Sequence, residues 1–198
     1  MMNKKFGIAL AAVVTGALAL TASPASAHQA TKPAGSIVDV AVNASGGGNP
    51  DGNAADYDIL VQALVATGLD DSLADTGSTY TVFAPNDRAF LRLVTDLTGT
   101  APASEAAALE AITSTFTADQ ISDILLYHVV AGKKLSPVKV LFSRSIDMAN
   151  GGTIEPRGIV LRDETPELKN PKLVLRAINI KASNGVIHTI DRVLVPAS

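Results

Sequence analysis

Residues 81–90 read TVFAPNDRAF, and this stretch says more about the fold than any other part of the chain. Its first half is rich in β-branched and aromatic residues, which favours a strand that ends at Pro85. Asn86 or Asp87 is well placed to cap a following helix that buries Phe90, because both side chains can accept backbone N–H groups. The stretch therefore predicts a buried strand that turns directly into a helix.

Helical patterns dominate on both sides of this strand. Upstream, Asp56 is predicted to cap a helix over residues 57–67, and Gly68 stands where the helix C-cap is expected. Downstream, Ser104 and Thr117 are predicted to cap two further helices whose apolar residues recur at helical spacing. The first half of the chain is therefore predicted to be mainly helical.

The second half has the pattern of short strands. From residue 143 onward, apolar runs are broken by turns that contain Gly, Pro or Asn. The last run, residues 186–195, is predicted to be the longest strand and to be buried on both faces. Asn184 and Gly185 are expected to supply the positive φ of a tight strand entry, and residues 37–42 fit either a short strand or a helical turn. Helices followed by strands predict an α+β fold.

The composition is that of one globular domain. The chain has 198 residues, of which 47% are hydrophobic and 18% are charged, and its formal net charge is −3. A mildly acidic chain with scattered bases argues against nucleic acid as a partner. The absence of Cys excludes disulfides, Cys-based metal sites and a thiol nucleophile.

The N-terminus has the pattern of a secretory signal peptide over residues 1–27. It contains two lysines, a mostly apolar run over residues 6–20 and an Ala-x-Ala ending at residues 25–27. The apolar run is shorter than the roughly 20 residues that cross a bilayer. The pattern predicts a secreted, extracellular protein that begins at His28, with a flexible tail over residues 28–35 and no stable membrane insertion after cleavage.

Three segments together resemble the fasciclin (FAS1) domain family. They are residues 81–90, residues 125–130 (LLYHVV) and residues 184–196 (NGVIHTIDRVLVP), in the order and spacing of that family. The resemblance covers residues 36–196 and implies a single FAS1-type domain with helices packed on a wedge of β-strands. Because members are modules of cell adhesion and matrix association, it implies a binding module for a cell-surface or matrix protein or polysaccharide.

The same resemblance suggests four possible binding residues. In animal members a Tyr-His segment and an Asp-Ile pair have been linked to integrin binding. This chain has Tyr127 and His128, but the pair reads Asn179-Ile180, so integrin binding is not carried over. A structural alternative exists for Tyr127 and His128, because at a helix-to-strand junction they can donate to free helix carbonyls from inside a core.

The sequence does not favour a catalytic triad of His188, Asp191 and Ser183. On a strand, His188 and Asp191 face opposite sides, and the chain has no Gly-x-Ser-x-Gly motif. We therefore interpret His188 as a hydrogen-bonded core histidine and predict that the protein is not an enzyme.

The sequence motifs predict no metal and no cofactor. The loop at residues 49–53 (NPDGN) resembles the start of a calcium loop. That template requires Gly and Glu at the positions that Ala54 and Leu60 occupy, so the match fails.

A second function from a different class is an exported carrier that holds a small apolar ligand between helices and sheet. The aromatic content of 4% weakens this alternative, because aromatic side chains commonly line such sites.

Overall fold

The computed structural model describes residues 35–197, which contain seven α-helices and seven β-strands. The helices are α1 (Ile37–Ala44), α2 (Asp58–Thr67), α3 (Leu69–Ala74), α4 (Asp87–Thr98), α5 (Glu105–Thr115), α6 (Ala118–Leu126) and α7 (Pro137–Phe142). The strands are β1 (Tyr80–Pro85), β2 (Val129–Ala131), β3 (Ile146–Asp147), β4 (Thr153–Arg157), β5 (Val160–Arg162), β6 (Ile180–Lys181) and β7 (Gly185–Ile190). The predicted signal peptide and, apart from Gly35, the predicted tail lie outside the described residues.

A four-stranded sheet in the order β2-β1-β7-β6 forms the centre of the fold. β1 and β7 pair in parallel, whereas β2 and β6 pair antiparallel at the two edges. Every residue of β7 is buried, which confirms the prediction of a strand covered on both faces. The predicted length is wrong, because β1 ends at Pro85 and enters α4, so β7 loses its neighbour beyond Ile190.

The two faces of this sheet pack against two apolar cores. Val82 and Ile187 belong to the larger core, which is formed with the helices that precede β2. Phe83 and Ile190 belong to the smaller core, which contains Ile154 of β4 and is completed by α7 and the β3-β4-β5 sheet. Side chains alternate between the faces of a strand, so adjacent residues of β1 enter different cores. The predicted α+β architecture is confirmed.

Several helix ends lie where the local sequence places them. Ser104 and Thr117 cap α5 and α6, each accepting the backbone N–H three residues later, at 3.1 and 3.3 Å. Gly68 ends α2 with a left-handed φ of 67°. Residues 37–42, for which the sequence leaves two options, belong to α1.

The predicted cap of α2 is wrong. The helix begins at Asp58, and the N–H groups of Asp58 and Ile59 donate to the carboxylate of Asp87 at 3.1 and 2.8 Å. Asp87 is the first residue of α4, whose own cap is Asn86. Asp56 is not the cap, because a side chain from another helix satisfies the free N–H groups of α2.

The explanation given for Asn184 and Gly185 is also wrong, since neither has a positive φ. Asn184 is buried, and its amide joins three backbone groups. It accepts the N–H of Ile37 at 2.8 Å and donates to the carbonyls of Leu73 and Asp75 at 2.7 and 3.0 Å. Gly185 is needed for space, because a Cβ there would collide with Ile37 and with the backbone of β1.

Candidate functional site

Tyr127 directly follows α6 and is fully buried. Its hydroxyl donates to the carbonyl of Thr153 in β4 at 2.6 Å, and a Cβ at Gly152 would lie 2.8 Å from its ring. Burial raises the pKa of Tyr127 above its ordinary value, and repulsion from Glu164 and Asp163 raises it further. The side chain therefore joins α6 to the second sheet.

His128 is also buried, with 2% of its surface exposed. Its Nδ1 donates to the Ile124 carbonyl at 2.7 Å, and its Nε2 accepts the Leu194 N–H at 2.9 Å. Because a carbonyl only accepts and a backbone N–H only donates, the ring is neutral with its proton on Nδ1. Burial lowers the pKa of His128 to about 4. The bond to Ile124 is the donation to a helix carbonyl that the structural alternative requires.

Asn179 and Ile180 lie at the opposite edge of the central sheet. Asn179 is half-buried with a φ of 58°, and its N–H donates to Nδ1 of His188 at 3.2 Å. Tyr127 and His128 precede β2, so β1 and β7 separate the two pairs by three strand spacings, about 14 Å. The structure does not bring the four possible binding residues together.

His188 is a buried core residue with both ring nitrogens bonded. Its Nε2 donates to the Leu135 carbonyl at 2.9 Å and its Nδ1 accepts, so its tautomer is opposite to that of His128. Burial lowers the pKa of His188. Asp191 instead accepts a hydrogen bond from Arg92 at 3.1 Å. The prediction of a hydrogen-bonded core histidine is confirmed.

A group of acidic side chains, which the sequence does not predict, lies where three helices begin. Asp58, Asp87 and Glu105 are the first residues of α2, α4 and α5, and all three are buried. One oxygen of each lies within 4.8 Å of the others, and the same is true of Asp51, Asp56 and Asp58. We call these five residues the acidic cluster. An acid in the first turn is ordinary in any helix, so no local signal shows that three such turns converge.

Ionisation of the carboxyl groups in the acidic cluster is unfavourable unless a positive charge offsets it. Burial raises the pKa of Asp58 to about 6, and repulsion from Asp56 adds to this effect. Burial likewise raises the pKa of Asp87. Within residues 35–197, both oxygens of Asp58 and Oδ1 of Asp56 are buried without a hydrogen-bond partner. Carboxylates arranged in this way are oxygen ligands that can hold a hard cation.

The most exposed large apolar side chain among the described residues is Phe142, at 84%. Val138, 62% exposed, lies one turn earlier on the same side of α7. We call residues 133–144 the α7 segment; it contains no acid. Its exposed cations are Lys133, Lys134, Lys139 and Arg144. The α7 segment therefore presents an apolar and basic surface.

Two apolar cavities lie inside the larger core, and both are small. One, between α2, α4, α5 and α6, has a volume of about 30 Å³, and one between α1, α2 and the sheet has about 20 Å³. Sites for small ligands usually have volumes of about 300–1,000 Å³. These two core cavities are therefore too small to hold such a ligand.

The described helices are short, and α4, the longest of them, has 12 residues. Within residues 35–197, no helix has both the length and the apolar character that crossing a membrane requires.

Comparison with known sequences identifies related proteins. The family model of the Fasciclin domain matches residues 55–196. The uncharacterized protein sll1735 of Synechocystis sp. is 32% identical over 143 residues, which cover 70% of this chain and 89% of that protein. Protein sll1483 of the same organism is 28% identical over 140 residues, which cover 71% of this chain and 67% of that protein.

Comparison with solved structures supports the same fold. A FAS1 domain pair from the insect cell adhesion molecule Fasciclin I matches with a TM-score of 0.59 and 16% sequence identity. The match covers 82% of this chain and 51% of that chain, so this chain spans about half the length of the insect structure. At this identity the likeness shows the fold alone, and it confirms the predicted helices on a β-strand wedge.

Proposed function

Since this chain belongs to the Fasciclin domain family, we propose that it is an exported adhesion module. It attaches to a negatively charged protein or polysaccharide of the cell surface or extracellular matrix, and it acts by binding, without a chemical step. Two observations support this proposal in general terms. The insect structure with the same fold comes from a cell adhesion molecule, and the pattern of residues 1–27 is typical of export.

The observation that carries the proposal is the exposure of Phe142 on α7. An aromatic ring that is 84% exposed to water gains free energy when a partner covers it. Val138 extends the apolar strip by one turn. Aromatic side chains of this kind are frequent among the residues that dominate binding energies.

The charge of the α7 segment indicates the chemistry of the partner. Four exposed cations and no acid occur in these twelve residues, although the whole chain has a net charge of −3. Such a local excess attracts negatively charged surfaces and orients the encounter. The α7 segment is therefore suited to an anionic polymer that also offers an apolar contact.

Tyr127 and His128 enter this proposal as residues of the framework. Tyr127 belongs to the smaller core together with Val140 of α7, and its hydroxyl bonds to Thr153 of β4. A change at Tyr127 is therefore expected to disturb the support of α7, whereas a change at Phe142 removes only exposed surface.

The test compares two variants in binding to cells of the source organism. Phe142→Ala is expected to weaken retention of the exported protein on these cells by about tenfold or more. Val65→Ala, which removes a 58% exposed side chain from α2, is the matched control and is expected to bind normally. A photo-crosslinking residue at position 138, followed by mass spectrometry, identifies the partner. Equal retention of both variants, or no retention of the parent protein at saturating dose, would reject the proposal.

A further inference from the structure

The geometry of the acidic cluster matches the ligand shell of one divalent cation. Two groups of three carboxylates share Asp58, and within each group the candidate oxygens lie within 4.8 Å of one another. Calcium binds oxygen at about 2.3–2.6 Å, so ligands on opposite sides of the ion are about 5 Å apart. An ion next to Asp58 can therefore contact the three carboxylates of one group.

Asp58 supplies an independent reason to expect a ligand. Its side chain is fully buried, and neither oxygen has a hydrogen-bond partner within residues 35–197. Asp56 is 94% buried, since 6% of its surface is exposed. Its Oδ1 likewise has no hydrogen-bond partner within residues 35–197. Buried polar atoms nearly always have a hydrogen-bond partner in folded proteins, and a bound ion is one of the standard reasons for an exception.

Other hydrogen bonds hold the carboxylates in position. Oε2 of Glu105 accepts the N–H groups of Asp51 and Gly52 at 3.1 and 2.9 Å, and Oδ2 of Asp56 accepts a hydrogen bond from Asn53 at 2.9 Å. These contacts fix the loop before α2 against the start of α5. Ligands that are held by outer hydrogen bonds in this way bind an ion at a lower ordering cost.

The surrounding protein does not neutralise the acidic cluster. Three helix N-termini contribute about half a positive charge each, yet repulsion between the carboxylates still raises the pKa of Asp58 in addition to the effect of burial. None of the ion pairs between described residues includes a member of the acidic cluster. The remaining negative charge favours a bound cation.

We propose that the acidic cluster is a calcium site, with Asp58 as its central ligand. The donor set is all oxygen, which argues against zinc and copper, since these metals prefer nitrogen or sulfur ligands. Calcium accepts six to eight oxygens in flexible geometry, whereas magnesium requires a near-ideal octahedron and retains several waters. The carboxylates are crowded, and Asp51 lies on a loop next to Gly52. Such a group suits calcium better than magnesium.

The test measures the thermal unfolding midpoint of the chelator-treated full chain with EDTA, with about 10 mM CaCl₂ and with about 10 mM MgCl₂. Calcium is expected to raise the midpoint by about 3 °C or more, for an affinity typical of extracellular calcium modules. Magnesium is expected to have a smaller effect. Calorimetric titration with CaCl₂ is expected to show one site.

The decisive variant is Asp58→Asn, which keeps the size of the side chain and removes its charge. It is expected to lose the calcium response and, in EDTA, to be at least as stable as the parent, because an uncompensated buried charge is gone. Glu110→Gln, on the exposed surface of α5, is the matched control and is expected to keep the full response.

Two results would overturn the proposal. One is a parent protein with the same midpoint in calcium and in EDTA and no heat of binding. The other is an Asp58→Asn protein that retains the full calcium response. If Asp58→Asn does not fold, Asp51→Asn replaces it, because Asp51 is exposed; it is expected to weaken calcium binding by about tenfold. Unchanged affinity in that variant would equally reject the proposed site.

Discussion

The ring of His128 links α6 to the last segment of the chain, because its Nε2 accepts the N–H of Leu194 at 2.9 Å, 66 residues further along the sequence. The other ring nitrogen donates to the Ile124 carbonyl of α6. A second proton on the ring would remove the acceptor for Leu194 and place a charge in the core. This bond therefore exists only while His128 is neutral.

The neutrality of His128 predicts a dependence of stability on pH. Burial lowers its pKa in the folded protein to about 4, from an ordinary value of 6.5. Between these values the unfolded chain binds a proton that the folded protein does not bind. The contribution of His128 is thus fully present above pH 6.5 and is lost as the pH falls towards 4. The expected loss is roughly 3 kcal/mol.

The measurement is urea unfolding of the parent and of His128→Asn between pH 8 and pH 4. The raised pKa values of Asp58 and Asp87 act in the opposite direction, since these groups hold protons in the folded state. They are present in both proteins and cancel in the difference. The parent is expected to lose its advantage in free energy of unfolding as the pH falls. A difference that is independent of pH would contradict the prediction.

Asn184→Leu is expected to destabilise the fold by about 3 kcal/mol or more. The substitution keeps the shape of the side chain but leaves the N–H of Ile37 and the carbonyls of Leu73 and Asp75 without their partner. Asn43→Leu, on the exposed surface of α1, is the control and is expected to change stability by less than about 0.5 kcal/mol. Similar unfolding midpoints in urea for both variants would disprove the proposed importance of Asn184.

Gly152→Ala is expected to cost about 1–3 kcal/mol of stability, because its Cβ would lie 2.8 Å from the buried ring of Tyr127. The control is Gly77→Ala, where the new Cβ meets an exposed Asp75 side chain at 3.2 Å that can move. Both glycines lie outside the region of positive φ, so the comparison isolates the steric effect. Thermal unfolding measures it, and equal midpoints for the two variants would show that the Tyr127 ring yields freely.

Binding through the α7 segment is expected to weaken with salt. Raising the ionic strength from about 0.05 to 0.5 M shortens the screening length several-fold and should reduce cell attachment by about threefold or more. The double variant Lys139→Gln/Arg144→Gln is expected to bind more weakly at low salt and to show a smaller salt dependence. Phe142→Ala is expected to keep the salt dependence of the parent protein. Attachment that does not respond to salt would argue against an anionic partner.

Local sequence signals predicted the features that depend on neighbours in the chain. Ser104 and Thr117 were recognisable as caps because each bonds to a backbone group three residues away. Apolar residues on both faces of the run at residues 186–195 were sufficient to predict a strand buried on both faces, and the alternation of side chains separated His188 from Asp191. Three segments in family order identified the α+β fold.

Interactions between distant segments could not be predicted in this way. The position of Asp56 just before α2 predicted it as the N-cap, but the carboxylate of Asp87 in α4 accepts the first N–H groups of the helix. Asn184 and Gly185 looked like turn residues, although their function depends on what α1 and β1 place against them. In both cases the residue type indicated a structural role, but the sequence did not reveal which group the residue contacts.

The sequence alone thus determined the family, the α+β class and several helix caps, because hydrophobic periodicity and capping act over a few residues. Only the tertiary structure decided that Tyr127 and His128 are buried, that Asn179 and Ile180 lie at the far edge of the sheet, and that the acidic cluster assembles. These properties depend on which helix starts and strand edges meet in space. That juxtaposition is set by packing two cores against one sheet, and no local pattern in the chain encodes it.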